Sequence, residues 1–338
     1  MSESQRETLQ EIAIKLAEDQ VKSQMILTGP RERAIFILGS PNVGKSTLIN
    51  RYLDREESSK TTLALEYSYG RRSSPGQGIQ KQVSHIWELG TVINSQELLE
   101  IPLRSHNLEN LSILLMLDLS EPQRLWTDTN TILNGLKTAL KKCLDSSTEA
   151  GLKKISQDRV GINHKELSTL DLFPIPVYLI GGRYDLFQNK FDPEIKKQVC
   201  RCLRAVAHLI GASIFFYTAH NTSMGKVMKD ILSHCGFGAP VNPMRQILVD
   251  YNGPICVGFG QDTWDSIGVP PGSLDSIGTL YCRVIPQEEA KEVNLPDDPG
   301  KDPGFREPMI DEMRAQRDEQ LQTLLKYSEL TGRFEKIE

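Results

Sequence analysis

Residues Gly39, Ser40, Asn42, Val43, Gly44, Lys45, Ser46 and Thr47 stand in the run "ILGSPNVGKSTLIN". Gly39 to Ser46 carry the spacing G-x-x-x-x-G-K-S, and the chemistry this supports is phosphate binding. The glycines let backbone N–H groups turn onto phosphate oxygens. Lys45 reaches the terminal phosphates, and the Ser46 hydroxyl is the usual Mg²⁺ ligand. A helix that opens at this point adds the positive end of its dipole. The apolar "AIFILG" before the loop and the helical "KSTLINRYL" after it give the strand-turn-helix setting that makes the match specific. The form "PNVGKSTL" favours a guanine-nucleotide protein of the Ras or Era type over an ATPase.

Such a protein carries four further signals. Thr61 and Thr62 stand where a threonine could sense the terminal phosphate and Mg²⁺, or could simply begin a strand. The acid of a D-x-x-G turn should hold Mg²⁺ through water. Here the stretch is Trp87-Glu88-Leu89-Gly90, with Trp87 in the acid's place. Glu88 lies one residue on, and alternation along a strand is expected to point it to the other face. The next residue, commonly a water-positioning Gln, is Thr91. For base recognition, Gly182-Arg183-Tyr184-Asp185 keeps the Asp that pairs with guanine. Arg183 partly replaces the usual Lys, while Gly182 cannot replace Asn; Asp185 could equally cap a turn. Thr218-Ala219-His220 follows the next strand, as a base-contacting loop would. Asp118 ends an apolar strand and reads as a turn cap.

These residues need a frame. The periodicity predicts a helix over 6–22, a strand over 34–39 and a helix over 45–53. Two strands follow, 62–72 and 81–90, joined by a hairpin turn at "SSPGQG". Strands are expected over 111–120, 175–185 and 213–220. Between and after them lie helical stretches at 122–157, broken near "LDSSTEAG", at 192–212, and from 221 through Leu232. The expected fold is α/β: a mostly parallel sheet with helices on both faces and one antiparallel edge strand. The predicted organisation is an N-terminal helical extension (1–30), a Ras-like phosphate-loop domain (31–236) and a C-terminal extension (237–338). The extension reads as an irregular segment rich in Gly and Pro, a linker over 294–308 and a final helix over 309–330. Gly332 is that helix's expected stop. Ile310, Met313, Leu321, Leu324 and Leu325 mark its apolar side.

Composition narrows the classes. The 338 residues carry a formal charge of -5, so there is no global attraction to nucleic acid or to an anionic membrane. The N-terminal stretch lacks the apolar run of a signal peptide, and no segment has the length of a membrane span. The six cysteines form no C-x-x-C pair and read as buried small hydrophobes in a reducing compartment. The six histidines do not fall at H-x-x-x-H spacing, so no metal cluster is assigned.

The runs "ILGSPNVGKSTLINRYLDREE", "KTTLALEYSYGRR", "HIWELG" and "LDLSEP" together resemble the light intermediate chains of cytoplasmic dynein. "TLALEYSYGRR" is the most specific of them. The length and short C-terminus resemble the dynein 2 branch. The resemblance implies a Ras-like domain turned structural subunit, one that docks on the dynein 2 heavy chain beside the other dynein 2 subunits. It thereby meets intraflagellar transport trains and microtubules indirectly. It implies residence in cytoplasm, cilium, basal body and cytoskeleton. No catalytic residue is assigned. GDP, GTP or ATP with Mg²⁺, or an empty pocket, all stay open as cofactor states, with Ser46 the metal ligand when nucleotide is bound. The alternative is an active Era-type GTPase switch.

Overall fold

The computed structural model describes residues 32–56, 60–73, 81–92, 95–239, 247–288 and 303–334. The helix expected over 6–22, the turn at 74–80 and most of the 294–308 linker lie outside these residues. One sheet forms from β1 (Glu32–Gly39), β2 (Leu65–Ser73), β3 (Lys81–Leu89), β4 (Leu111–Asp118), β5 (Val177–Gly182), β6 (Ser213–Phe216) and β7 (Cys256–Val257). The spatial order is β2-β3-β1-β4-β5-β6-β7. The β3, β1, β4, β5 and β6 strands run parallel. Antiparallel β2 and β7 close the two edges.

Alternation along β1 explains the layering. Ala34, Phe36 and Leu38 face one core, which contains Leu115, Leu133 and Leu203. Ile35 and Ile37 face the other, with Leu114, Ile180 and Leu232. A central parallel strand covered on both faces must be apolar throughout, and every residue of β4 is buried. The first core lies under α3 (Pro122–Cys143) and α6 (Pro193–Leu209). The second lies under α1 (Lys45–Tyr52) and α7 (Thr222–Phe237). Pro122 and Pro193 open their helices from the first turn, where the missing N–H costs nothing. The helical stretch after Pro122 breaks at Leu144 and Asp145. The Asp145 side chain accepts from Thr148 N and caps α4 (Ser146–Val160). Two short helices complete this part, α2 (Glu100–Ser105) and α5 (Tyr184–Lys190).

Residue 236, where the C-terminal extension is expected to begin, lies inside one compact unit. The compact unit runs on to Lys291, and the second unit is 292–338. After residue 236, β7 extends the sheet, and α8 (Trp264–Ile267) and α9 (Leu274–Val284) follow. The expected irregular segment thus contains two helices. Ser273 caps α9 by accepting from Ser276 N. Ile277 and Tyr281, four residues apart, are buried in the first core with Trp264. The glycines here serve close packing as much as looseness. A Cβ on Gly278 would come within 2.2 Å of the Trp126 ring. Gly278→Ala is expected to destabilise by about 1–3 kcal/mol through overpacking, read as a lower urea midpoint at unchanged slope.

The second unit contains α10 (Pro308–Phe334), which runs through Gly332 where a stop was expected. Along it, Ile310, Met313, Leu321, Leu324 and Leu325 are 55–67% exposed.

Candidate functional site: a phosphate loop at the ends of the central strands

The loop between β1 and α1 has the conformation its glycines require. Gly39 has φ 149° and Gly44 has φ 101°. A Cβ on Gly39 would fall 1.8 Å from the Met116 carbonyl oxygen, so only glycine lets the loop leave β1 against β4. Ser40 N donates to that same carbonyl at 2.8 Å. At Gly44 the left-handed turn starts α1. The N–H groups of a first helical turn have no intrahelical acceptor, so the start of α1 at Lys45 and Ser46 presents donors to an anion. The loop therefore supplies a cradle in which a side chain at the first glycine would not fit.

Lys45 is 5% exposed. Its Nζ donates to Ser40 O at 2.9 Å, Gly90 O at 3.0 Å and, weakly, Gly39 O at 3.5 Å. Burial lowers its pKa from 10.5 to about 8, against the opposing pull of Glu88 and Asp128. Both of those carboxyls are pushed up, chiefly by burial. Hydrogen bonds from Ser46 to Glu88 and from Ser40 to Asp128 act the other way. All three shifts favour the neutral form, so desolvation outweighs attraction inside the cluster.

Glu88 is the main departure from the sequence reading. The Ser46 hydroxyl donates to Glu88 Oε1 at 2.7 Å, and Thr62 Oγ1 lies 3.4 Å from Ser46 Oγ. Trp87 and Glu88 do face opposite sides, but it is Glu88 that shares the α1 face with Ile86. Trp87 turns to the other side, where its Nε1 donates to His106 Nε2 at 2.9 Å. A shift of one position in a strand exchanges faces. The longer Glu side chain thus reaches the phosphate loop from the position after the usual acid. Gly90 has no room for a side chain, since a Cβ would meet Thr62 O at 2.3 Å. Its N–H donates to Ala64 O at 2.8 Å. Asp128 of α3 was not found from sequence. It accepts from Ser40 Oγ at 2.6 Å across 88 residues of chain, and no local spacing signals it.

The second half of the site forms at the end of β5. Arg183 adopts the left-handed conformation, φ 55°, which is unfavourable for a non-glycine residue. Two interactions hold it there. Its Nη2 donates to Asn42 O at 2.6 Å, and its Nη1 lies 3.3 Å from Asp118 Oδ2. Asp118 does cap its turn, accepting from Ser120 N at 2.8 Å and Ser120 Oγ at 2.6 Å. It also anchors Arg183, which ties the base loop to the phosphate loop. Thr218 Oγ1 donates to Asp185 Oδ1 at 2.6 Å and accepts from His220 N at 3.3 Å. The segments 182–185 and 218–220 therefore meet. A Cβ on Gly182 would lie 2.6 Å from Val43 Cγ2, so an Asn at that position needs Val43 to move. Thr47 lies in the first turn of α1.

The donor set fits Mg²⁺. Ser46 Oγ, Thr62 Oγ1 and the Glu88 carboxylate are hard oxygens converging beside Lys45. Sheet order, loop conformation and the buried lysine define a Ras-like phosphate-loop protein of the GTPase fold. The family described as 50S ribosome-binding GTPase matches residues 34–143. A crystal structure of the dynein light intermediate chain's conserved domain superposes with a TM-score of 0.53 at 16% identity. It covers 79% of this chain and 93% of its own, a likeness of fold. Cytoplasmic dynein 2 light intermediate chain 1 of Bos taurus is 37% identical over 94% of both chains. That of Homo sapiens is 35% identical over 86% of this chain and 87% of its own. The chain belongs to the cytoplasmic dynein 2 light intermediate chain family.

Proposed function

We propose that the chain is a non-catalytic accessory subunit of a dynein 2 motor, binding and stabilising the heavy chain for retrograde intraflagellar transport and cilium assembly. The observation that carries this reading is the 37% identity to a dynein 2 light intermediate chain over 94% of both chains. Membership supports association with a dynein heavy chain. Contact with the other motor subunits and, through them, with transport trains on microtubules belongs to the same proposal, as does residence in cytoplasm, cilium, basal body and cytoskeleton. Among the described residues no helix is long and apolar enough to cross a membrane. Affinity capture of the full chain from ciliated cells tests the partner. Recovery of a dynein 2 heavy chain is expected, and its consistent absence removes the reading.

The phosphate site is proposed to hold a guanine nucleotide as a structural ligand. Gly39, Ser40, Asn42, Val43, Gly44, Lys45, Ser46 and Thr47 would cradle the phosphates. Arg183 and Asp185 would border the base. Ser46, with Thr62 and Glu88, would hold Mg²⁺, whose role would be to neutralise phosphate charge. Hydrolysis needs a positioned water as well as a cradle. Trp87 is committed to His106, and Thr91 occupies the place of the water-positioning Gln. Turnover of GTP is expected at or below the level of a poor intrinsic GTPase, on the order of 10⁻⁴ per second. Several turnovers per minute, lost in Lys45→Ala, would favour the switch reading instead.

Helix α10 is proposed to meet the heavy chain. An apolar side as exposed as that of Ile310, Met313, Leu321, Leu324 and Leu325 is a liability unless covered. Deletion of residues 305–338 is expected to leave a monodisperse protein that captures markedly less heavy chain. Aggregation of the truncated protein would show instead that the helix packs on its own chain.

A further inference from the structure

At the C-terminal end of α6, the tertiary structure assembles side chains that no sequence spacing joins. His164 and Glu166 stand in the turn after α4. His208 stands in the last turn of α6, 42 residues beyond Glu166. One ligand atom from each of the three lies within 4.8 Å of the others. His208 Nε2 is 2.8 Å from Glu166 Oε2. The His164 and His208 rings are 5.6 Å apart between centroids.

We propose that His164, Glu166 and His208 form a binding site for a borderline transition-metal ion of the Zn²⁺ class. Two imidazoles and one carboxylate are a donor set that suits Zn²⁺ and its spectroscopic substitute Co²⁺, and does not suit Ca²⁺ or Mg²⁺. Ligand atoms on a tetrahedral Zn²⁺ are about 3.3 Å apart. The His208–Glu166 pair must therefore open by a few tenths of an ångström, and His164 must close by up to roughly 1.5 Å. His208 is buried on a helix and Glu166 accepts from Trp264 N. The partly exposed His164 sits in a turn, with Nδ1 accepting from Glu166 N at 3.2 Å. It is the ligand whose ring must shift, either giving up that bond or binding through Nε2. A neutral His208 ligates through Nε2 only as its Nδ1–H tautomer, so entry of the ion breaks the Nε2–Glu166 Oε2 hydrogen bond and the ring proton is exchanged through solvent onto Nδ1. The fourth position is open to water.

The surroundings are those of an oriented ligand set. Trp264 N donates to Glu166 Oε1 at 3.3 Å and Oε2 at 3.2 Å, directing the carboxylate. The Trp264 indole N–H donates to Thr169 Oγ1 at 3.1 Å, and its ring meets the edge of His208 at 4.9 Å. Such outer partners fix ligand orientation. The ion would tie the 161–169 turn to α6 at the point where Trp264 anchors the segment after β7. Its effect would be to clamp the C-terminal part of the compact unit to the sheet.

The test uses the full chain, stripped by chelator and titrated with Co²⁺ under excess Mg²⁺. One equivalent is expected to produce the visible ligand-field band of a four-coordinate site without near-ultraviolet thiolate charge transfer, and to raise the melting temperature. His164→Asn and Glu166→Gln should each weaken binding by at least about tenfold, with the circular dichroism of the metal-free protein unchanged. His164→Asn changes the partly exposed ligand, so folding should survive it. A missing band, a band that persists in His164→Asn, or one dominated by thiolate charge transfer overturns the proposal.

Discussion

Arg204→Ala is expected to destabilise the compact unit by about 3–5 kcal/mol. The guanidinium lies on α6, with its side chain 7% exposed against 6% for Asp262. Nε donates to Asp262 Oδ2 at 2.8 Å, and Nη2 donates to Asp262 Oδ1 at 2.7 Å and Ser266 Oγ at 2.8 Å. This bidentate pair fixes the loop that seats Trp264 in the core. Coulomb attraction alone would not make it stabilising, because taking both charges out of water costs several kcal/mol per ion. Removing one partner is the costly change, since among the described residues Asp262 then keeps its buried charge with Thr263 N, donating at 3.0 Å, as its remaining hydrogen-bond donor. Urea unfolding should show a lower midpoint at unchanged slope. The double change Arg204→Met with Asp262→Leu should recover much of the loss, because it leaves no buried charge unpaired. A single variant within 1 kcal/mol of wild type would mean that the pair does not hold this segment.

Lys45→Met is expected to change the sign of its effect with the occupancy of the phosphate site. In nucleotide-free protein the lysine is buried among carbonyls, with its pKa lowered from 10.5 to about 8. Between those values the unfolded chain binds more protons than the folded one, so stability rises as pH rises through that window. The full interval corresponds to ~3 kcal/mol, present as a penalty at pH 7 and relieved toward pH 10. Met fills the same space without charge. It should therefore stabilise the stripped protein at pH 7 by up to that amount and flatten its stability between pH 8 and 10. With nucleotide the sign reverses. The terminal phosphates stabilise the charged lysine, and a ligand at a hundred times its Kd adds about 2.7 kcal/mol to folding stability. Lys45→Met forfeits that gain. Melting temperatures of stripped and GDP-saturated protein, each at pH 7 and pH 9.5, separate the cases. Equal destabilisation in both states, with no response to nucleotide, would sink the structural-ligand reading.

The phosphate site depends on both local and long-range information, and its residues divide accordingly. Gly39 to Ser46 were legible because strand, loop and helix are contiguous, and their conformation is imposed by glycines in the same eight residues. The five parallel strands were legible for a related reason: a strand covered on both faces must be apolar along its length, and β1, β4 and β5 announce this without partners. Arg183 and Asp185 were found through their order in the chain. That Asn42 and Thr218 pair with them became visible only in three dimensions.

Where sequence reasoning missed, the deciding contacts cross long stretches of chain. Glu88 was assigned to the wrong face because alternation gives relative direction and leaves open which face meets α1; the packing of β3 beside β1 decides that. Asp128 reaches Ser40 across 88 residues, and His208 reaches Glu166 across 42, distances at which spacing rules are silent. The segment after residue 236 was read as loose from its glycines and prolines. Yet Gly278 is small because Trp126 lies against it, and Trp264 and Tyr281 are buried because the first core stays open until they fill it. The sequence by itself determined the phosphate cradle, the parallel sheet and the family, since each is written in contiguous residues. Only the tertiary structure decided which acid meets Ser46, what completes the core and where two distant histidines meet, because those outcomes depend on packing between elements far apart in the chain.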